Sequence, residues 1–71
     1  MHMKTDIGKR IKKLREEKGL NQNEFAKIIK IGKATIIKYE TGVSTPKIRM
    51  IIAVAKFFEV STDYLLGLKE Y

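Results

Sequence analysis

The stretch from Leu20 to Gly42, LNQNEFAKIIKIGKATIIKYETG, reads as two short helices joined by a tight turn. Asn21 is a good N-cap, and Glu24, three residues on, can return the hydrogen bond to complete a capping box. Leu20 and Phe25 flank that start at the spacing of a hydrophobic staple. Phe25, Ala26 and Ile29 share one apolar face, which predicts a helix ending near Ile29. Lys30 and Ile31 make the turn. Gly32 then caps a second helix, Ile31 and Ile36 repeat the staple spacing, and Gly42 ends it in the left-handed conformation after Thr41. With Ile36, Tyr39 and Glu40 turned inward, Lys33, Ala34, Ile37, Lys38 and Thr41 lie on the opposite side. Two lysines, a small residue and an exposed isoleucine suit the major groove of double-stranded DNA. Lysine can donate to guanine O6 and N7, and an apolar side chain can touch a thymine methyl. The alternative is a solvated helix face, against which Ile37 weighs, because a solvated face gains nothing from a large apolar residue.

The pattern extends in both directions. A first helix is expected from Thr5 or Asp6, either of which can cap it, with Ile7, Ile11 and Leu14 on its apolar face and Gly19 ending it. Beyond Gly42, the residues Val43, Ser44 and Thr45 form a loop. Thr45 followed by Pro46 reads as a cap followed by a first-turn proline. The fourth helix then runs to about Phe58, with Ile48, Ile51, Ile52, Ala55 and Phe58 as its core stripe. Ser61 caps a short fifth helix, Val60 and Leu65 form a third staple, Leu65 and Leu66 close the core, and Gly67 stops the helix. The glycines stand singly, as helix punctuation would place them, and strand signals and repeats are absent. Together these signals predict an all-α chain: a compact five-helix bundle containing a helix-turn-helix. Residues 1–4 are expected to be a disordered or expression-derived N-terminus, 5–67 the domain and 68–71 a tail.

Seventy-one residues leave room for one small domain. The chain has no cysteine and a single histidine, His2, so neither a disulfide nor a clustered metal site can be proposed. With no grouping of acids and bases either, the expectation is no enzyme and no cofactor. A net charge of +7 and a pI near 9.8 point to an acidic partner, although lysine-rich surfaces also simply keep small domains soluble. No apolar run approaches the roughly 20 residues of a membrane span, and no signal peptide is visible. A soluble, cytoplasmic protein is the expectation.

The order Leu20-Asn21-Gln22, Glu24-Phe25-Ala26, Thr35-Ile36, Tyr39-Glu40, Gly42, Pro46, Phe58-Glu59-Val60-Ser61 and Leu65-Leu66-Gly67 resembles the XRE-type helix-turn-helix domain. This is the lambda-repressor-like domain of the lambdoid phage repressors and Cro proteins, and the resemblance runs from about Ile7 to Gly67. It implies that Gln22 bonds a DNA phosphate and braces the reading helix, with Asn21 adding a phosphate contact. Lys33, Ala34 and Lys38 fall on the family's base-reading positions, with Thr35 close by. Thr41, Ser44 and Thr45 would meet the backbone of the same half-site. Arg15 on the first helix would pair with Glu40 and fix the angle of the reading helix. Two departures stand out: Lys30 and Glu59 occupy places where the family commonly has glycine. A left-handed lysine in the turn would cost on the order of 1 kcal/mol; the alternative is a turn of different form.

The fourth helix carries a second apolar face. Met50, Val54 and Phe57 recur at helical spacing, and with Leu68 and Tyr71 they make a candidate homodimer surface. The alternative is that the tail Leu68–Tyr71 folds over this face within one chain. The functional expectation is a sequence-specific DNA-binding transcriptional regulator, a repressor that occupies a pseudo-palindromic operator as a homodimer. Its half-sites would lie about 34 Å apart. The alternative is an antitoxin that holds a toxin protein through the apolar fourth-helix face and still binds its own operator.

Overall fold

Five helices follow one another with short connections, and the local signals explain most of their boundaries. The computed structural model describes residues 3–69, with side chains described from residue 7 onward. The helices are α1 (Met3–Glu17), α2 (Gln22–Ile29), α3 (Lys33–Thr41), α4 (Ile48–Phe58) and α5 (Thr62–Leu65). All regular structure among the described residues is helical. The radius of gyration, 10.8 Å, matches the roughly 11 Å of a compact chain of this length.

Each helix sends at least one fully buried side chain into a common core. Ile7 and Ile11 come from α1, Phe25 from α2, Ile36 from α3, Val54 from α4 and Leu65 from α5. Burial of each contributes roughly 1.5–3 kcal/mol, so no helix can leave without a loss comparable to a large part of a small domain's stability. Phe25 lies at the centre, its ring centroid 5.4 Å from that of Phe58 and 6.1 Å from that of Phe57. The residues preceding the caps, Leu20, Ile31 and Val60, are partly buried against this core, as the three staples predict.

Four features differ from the sequence reading. Helix α1 starts at Met3, so Thr5 and Asp6 lie inside it instead of capping it. Helix α4 starts at Ile48 with Lys47 as its N-cap, two residues later than Thr45-Pro46 suggested. Pro46 is buried in the approach to the helix instead of opening its first turn.

The third difference is the phase of α4. Its inward line is Ile51, Val54, Ala55 and Phe58, with Met50 and Phe57 partly buried on one flank. Ile48 and Ile52, assigned to the core stripe, are exposed, while Val54, assigned to a dimer surface, is 1 % exposed. Phe57 is also covered on one side, with the Lys18 ammonium 5.3 Å from its ring centroid. Of the expected dimer residues, Leu68 is exposed and Tyr71 lies outside the described residues.

The fourth difference is Gly8, which does not punctuate a helix. It is buried in the interior of α1, where that helix meets the backbone of α3 at Tyr39. The contact between α1 and α3 is the most extensive in the domain.

Candidate nucleic-acid interface

Helix α2 begins as its sequence predicts. The Asn21 side chain accepts from the Glu24 backbone N–H at 2.8 Å, and the Glu24 carboxylate accepts from the Asn21 N–H at 2.8 Å. The first-turn amides of Gln22 and Asn23 have no intrahelical acceptor, which makes this end of α2 favourable for an anion. The helix ends on Lys30, which adopts φ 67° and ψ 45° and donates its N–H to the Ala26 carbonyl. The turn is therefore the family's left-handed turn built with lysine. Glu59 does the same after α4, with φ 59°.

Helix α3 starts at Gly32 with no side-chain cap and ends on Gly42, which adopts φ 83°. Val43 and Ser44 then donate their N–H groups back to the Lys38 carbonyl, which sets the path of the loop. The inner side of α3 is held by Ile36, 1 % exposed, and by Glu40, whose side chain is 2 % exposed. Arg15 reaches Glu40 from α1 in a two-pronged pair: Nε donates to Oε2 at 2.7 Å and Nη2 to Oε1 at 3.0 Å. Its Nη1 donates to the Leu20 carbonyl at 2.8 Å, so one guanidinium ties the α1–α2 connection to α3. The hydrogen bonds that Arg15 donates to Glu40 raise the Arg15 pKa against the opposing effect of burial, and the side chain stays charged at any working pH. The Arg15–Glu40 pair implied by the resemblance is formed, with side chains 8 % and 2 % exposed.

Gln22 is half-buried and donates Nε2 to Glu40 Oε1 at 3.1 Å. It thus braces α3 through the same carboxylate that Arg15 holds. Its amide has a second hydrogen and its oxygen to offer outward.

The outer side of α3 carries the residues expected there. Lys33, Ala34, Ile37 and Lys38 are exposed, and Thr35 is half-buried beside them. Ile37 keeps 38 % of its surface accessible. Thr41 is exposed, but its hydroxyl donates to the Ile37 carbonyl at 2.8 Å, so its proton is already committed to its own helix.

Between α3 and the start of α4 lies an open concavity of about 590 Å³. Thr35 and Lys38 line it from α3, Ser44 and Thr45 from the loop, and Lys47 and Arg49 from the start of α4. Ser44 and Thr45 are therefore brought beside Thr35 and Lys38 of α3. Lys47 and Arg49 were missed. The signal was available in principle: two cations within four residues of the loop, at the N-terminal end of a helix that is apolar apart from Arg49 and Lys56. The early placement of the helix start at Thr45-Pro46 hid it. No group of His, Asp or Glu among the described residues could hold a metal ion, and no described helix is long and apolar enough to cross a membrane.

The comparisons with known proteins agree with this geometry. A family model described as a helix-turn-helix domain matches residues 8–70. The HTH-type transcriptional regulator ImmR of Bacillus subtilis is 36% identical over 64 residues, covering 90% of this chain and 50% of that protein. The cryptic phage CTXphi transcriptional repressor RstR of Vibrio cholerae is 43% identical over 58 residues, 82% of this chain and 52% of that protein. Antitoxin PezA of Streptococcus pneumoniae is 38% identical over 61 residues, 86% of this chain and 39% of that protein. The chain thus spans about half the length of the curated regulators it matches. By the extent of these matches and by the fold itself, the chain belongs to the helix-turn-helix family, in its XRE-type form.

Proposed function

We propose that this domain reads a specific sequence in the major groove of double-stranded DNA and regulates transcription as a repressor that occupies its operator. The observation that carries the reading is the division of α3. Ile36 and the Arg15–Glu40 pair hold one side, and Lys33, Ala34, Ile37 and Lys38 stand exposed on the other. The groove offers partners to both kinds of outward residue, guanine acceptors to the lysines and thymine methyls to Ile37. Thr35 sits at the edge of that contact. Asn21, Gln22, Ser44 and Thr45 would bond phosphates, and Lys47 and Arg49 would add two cations on the backbone. Thr41 would join them only by releasing the Ile37 carbonyl. The likeness to relatives named as a transcriptional regulator and a phage repressor supports the same role. Such binding involves no catalysis and no cofactor, and it places the protein with the DNA in the cytoplasm.

The domain would act as a homodimer joined on the outer side of α4. Ile48 and Ile52, 60 % and 41 % exposed, replace Met50, Val54 and Phe57 in this role. Ile48 also borders the basic concavity, so a dimer surface there is continuous with the reading surface. A two-fold copy would set the second α3 about 34 Å away, in the next major groove. A second reading is favoured by the likeness to a protein named as an antitoxin. In it, a toxin protein covers Ile48 and Ile52, and a stable complex with the product of an adjacent gene would support it.

The test is fluorescence anisotropy with labelled duplex DNA at about 50 and about 200 mM salt, alongside selection from a random pool. Affinity should fall with salt at a slope of about −0.9 per phosphate neutralised. Absence of binding to any duplex at the lower salt would reject the DNA role.

A further inference from the structure

We infer that Gly8 is a positioning residue for DNA reading. By lacking a side chain, it lets α1 seat directly on the backbone of α3 and so sets the tilt of the reading helix. The inference rests on the DNA-reading function proposed above.

A glycine in the interior of a helix weakens it relative to alanine, so its presence in α1 needs a reason. No turn supplies one, because Gly8 is not among the glycines with positive φ. The neighbouring helix does. A Cβ on residue 8 would lie 2.1 Å from the Tyr39 carbonyl oxygen, 3.1 Å from its carbonyl carbon and 3.3 Å from the Glu40 Cα. All three are backbone atoms, so no change of rotamer makes room. Ordinary contact begins near 3.4 Å, so α3 would have to withdraw by about 1.3 Å at Tyr39.

That withdrawal cannot be a simple translation. Arg15 lies about two turns further along α1 and holds Glu40, the next residue of α3, at 2.7 Å. Pushing Tyr39 away while Arg15 retains Glu40 tilts α3 about its C-terminal half. Lys33 and Ala34 stand at the other end, about 10 Å along the axis, where a tilt moves them most. Base contacts tolerate displacements of about 0.5 Å, whereas long cations follow phosphates over a much wider range. A methyl group at residue 8 would therefore erode discrimination between sequences more than it erodes binding to DNA as such.

The experiment compares the wild type with Gly8→Ala, each in a background carrying Lys30→Gly and Glu59→Gly to keep the variant folded. Binding is measured at a temperature where circular dichroism shows full helix content. The wild type first selects its preferred duplex, and failure to prefer any duplex overturns the DNA reading together with this inference. Gly8→Ala should lower the ratio of preferred to random-duplex affinity by about tenfold or more. Its affinity for random duplex should stay within about threefold. Val54→Ala, which loosens the core on α4, should keep the wild-type ratio. A folded Gly8→Ala protein with the wild-type ratio would overturn the inference while leaving the DNA reading intact. So would an equal loss of ratio in Val54→Ala.

Discussion

Removing the Glu40 carboxylate tests how α3 is held. Arg15 is 7 % exposed and makes three hydrogen bonds, two to Glu40 and one to the Leu20 carbonyl. Glu40→Ala strips away two of them, leaves the buried cation only the exposed Glu16 carboxylate at 4.0 Å as counter-charge, and takes the acceptor from Gln22 Nε2. Breaking a buried pair from one side costs about 3–5 kcal/mol. At roughly 0.05–0.15 kcal/mol per residue, a domain of this length holds only about 4–11 kcal/mol. The variant should therefore lose much of its stability, with a fall in Tm of about 12 °C or more. Removing both partners, as Arg15→Met with Glu40→Leu, should be far milder. What remains is the Leu20 carbonyl without its donor and Gln22 Nε2 without its acceptor, about 1–3 kcal/mol each at most, partly offset because Leu20 and Gln22 are half-exposed. Equilibrium urea unfolding of the wild type, both single variants and the double variant gives the coupling directly. The sign with pH is fixed as well. Because the folded pKa of Arg15 is raised, its contribution is present below the unfolded pKa and is lost only as pH rises through the folded one. The cost of Glu40→Ala should therefore include, at any working pH, a buried Arg15 charge balanced only by the exposed Glu16. A loss below about 1 kcal/mol for Glu40→Ala, the range of an exposed pair, would refute the reasoning, as would additive single-variant losses.

Lys30→Gly and Glu59→Gly should each stabilise the domain by about 0.5–1 kcal/mol, since both residues hold positive φ; a lower Tm for either would contradict the cost assigned to the left-handed turn. Asn21→Ala removes the capping box and should cost about 0.5–2 kcal/mol in urea unfolding, and a neutral result would mean the cap is dispensable. Lys47→Ala and Arg49→Ala should each flatten the salt dependence of DNA binding by about one unit of slope without altering base preference. Lys38→Ala, by contrast, should relax preference at one position of the selected site, and an unchanged selection would remove Lys38 from the reading face.

Legibility followed the range of the interaction. Asn21 with Glu24, Gly42, Ser61 and the three staples act within a few residues, and each was visible as a pair at fixed spacing. The turn at Lys30 and Ile31 could be located from the flanking staples, but its left-handed conformation could not, because lysine disfavours it and a different turn stayed open. The Arg15–Glu40 pair spans 25 residues and became legible through family resemblance, not through spacing. Helix α4 was misphased because it is apolar nearly all round, and an apolar stripe can be drawn through it in more than one way. Its two interior cations held the answer. Arg49 and Lys56 stand seven residues apart, which places them on one line, and both are exposed with Ile52 and Ala53 between them.

Helix α3 shows why a reading helix depends on its neighbours. A helix that only packs can choose its inner face by amphipathicity, with apolar residues inside and polar ones outside. A helix that must also present Ile37 to a groove loses that contrast, because Ile36 and Ile37 point in different directions with the same hydrophobicity. The two orientations then differ little in transfer free energy, and something else must choose between them. In this domain α1 makes the choice with two contacts that bury no extra hydrocarbon. Arg15 accepts only the face that carries Glu40, and Gly8 admits only a backbone approach at Tyr39. Both are specific where hydrophobic burial is not, and neither is visible in the periodicity of α3 itself. The orientation of the outer face of α3 is therefore encoded in α1, and under the proposed function variation at Ile37 would alter recognition without redirecting the helix.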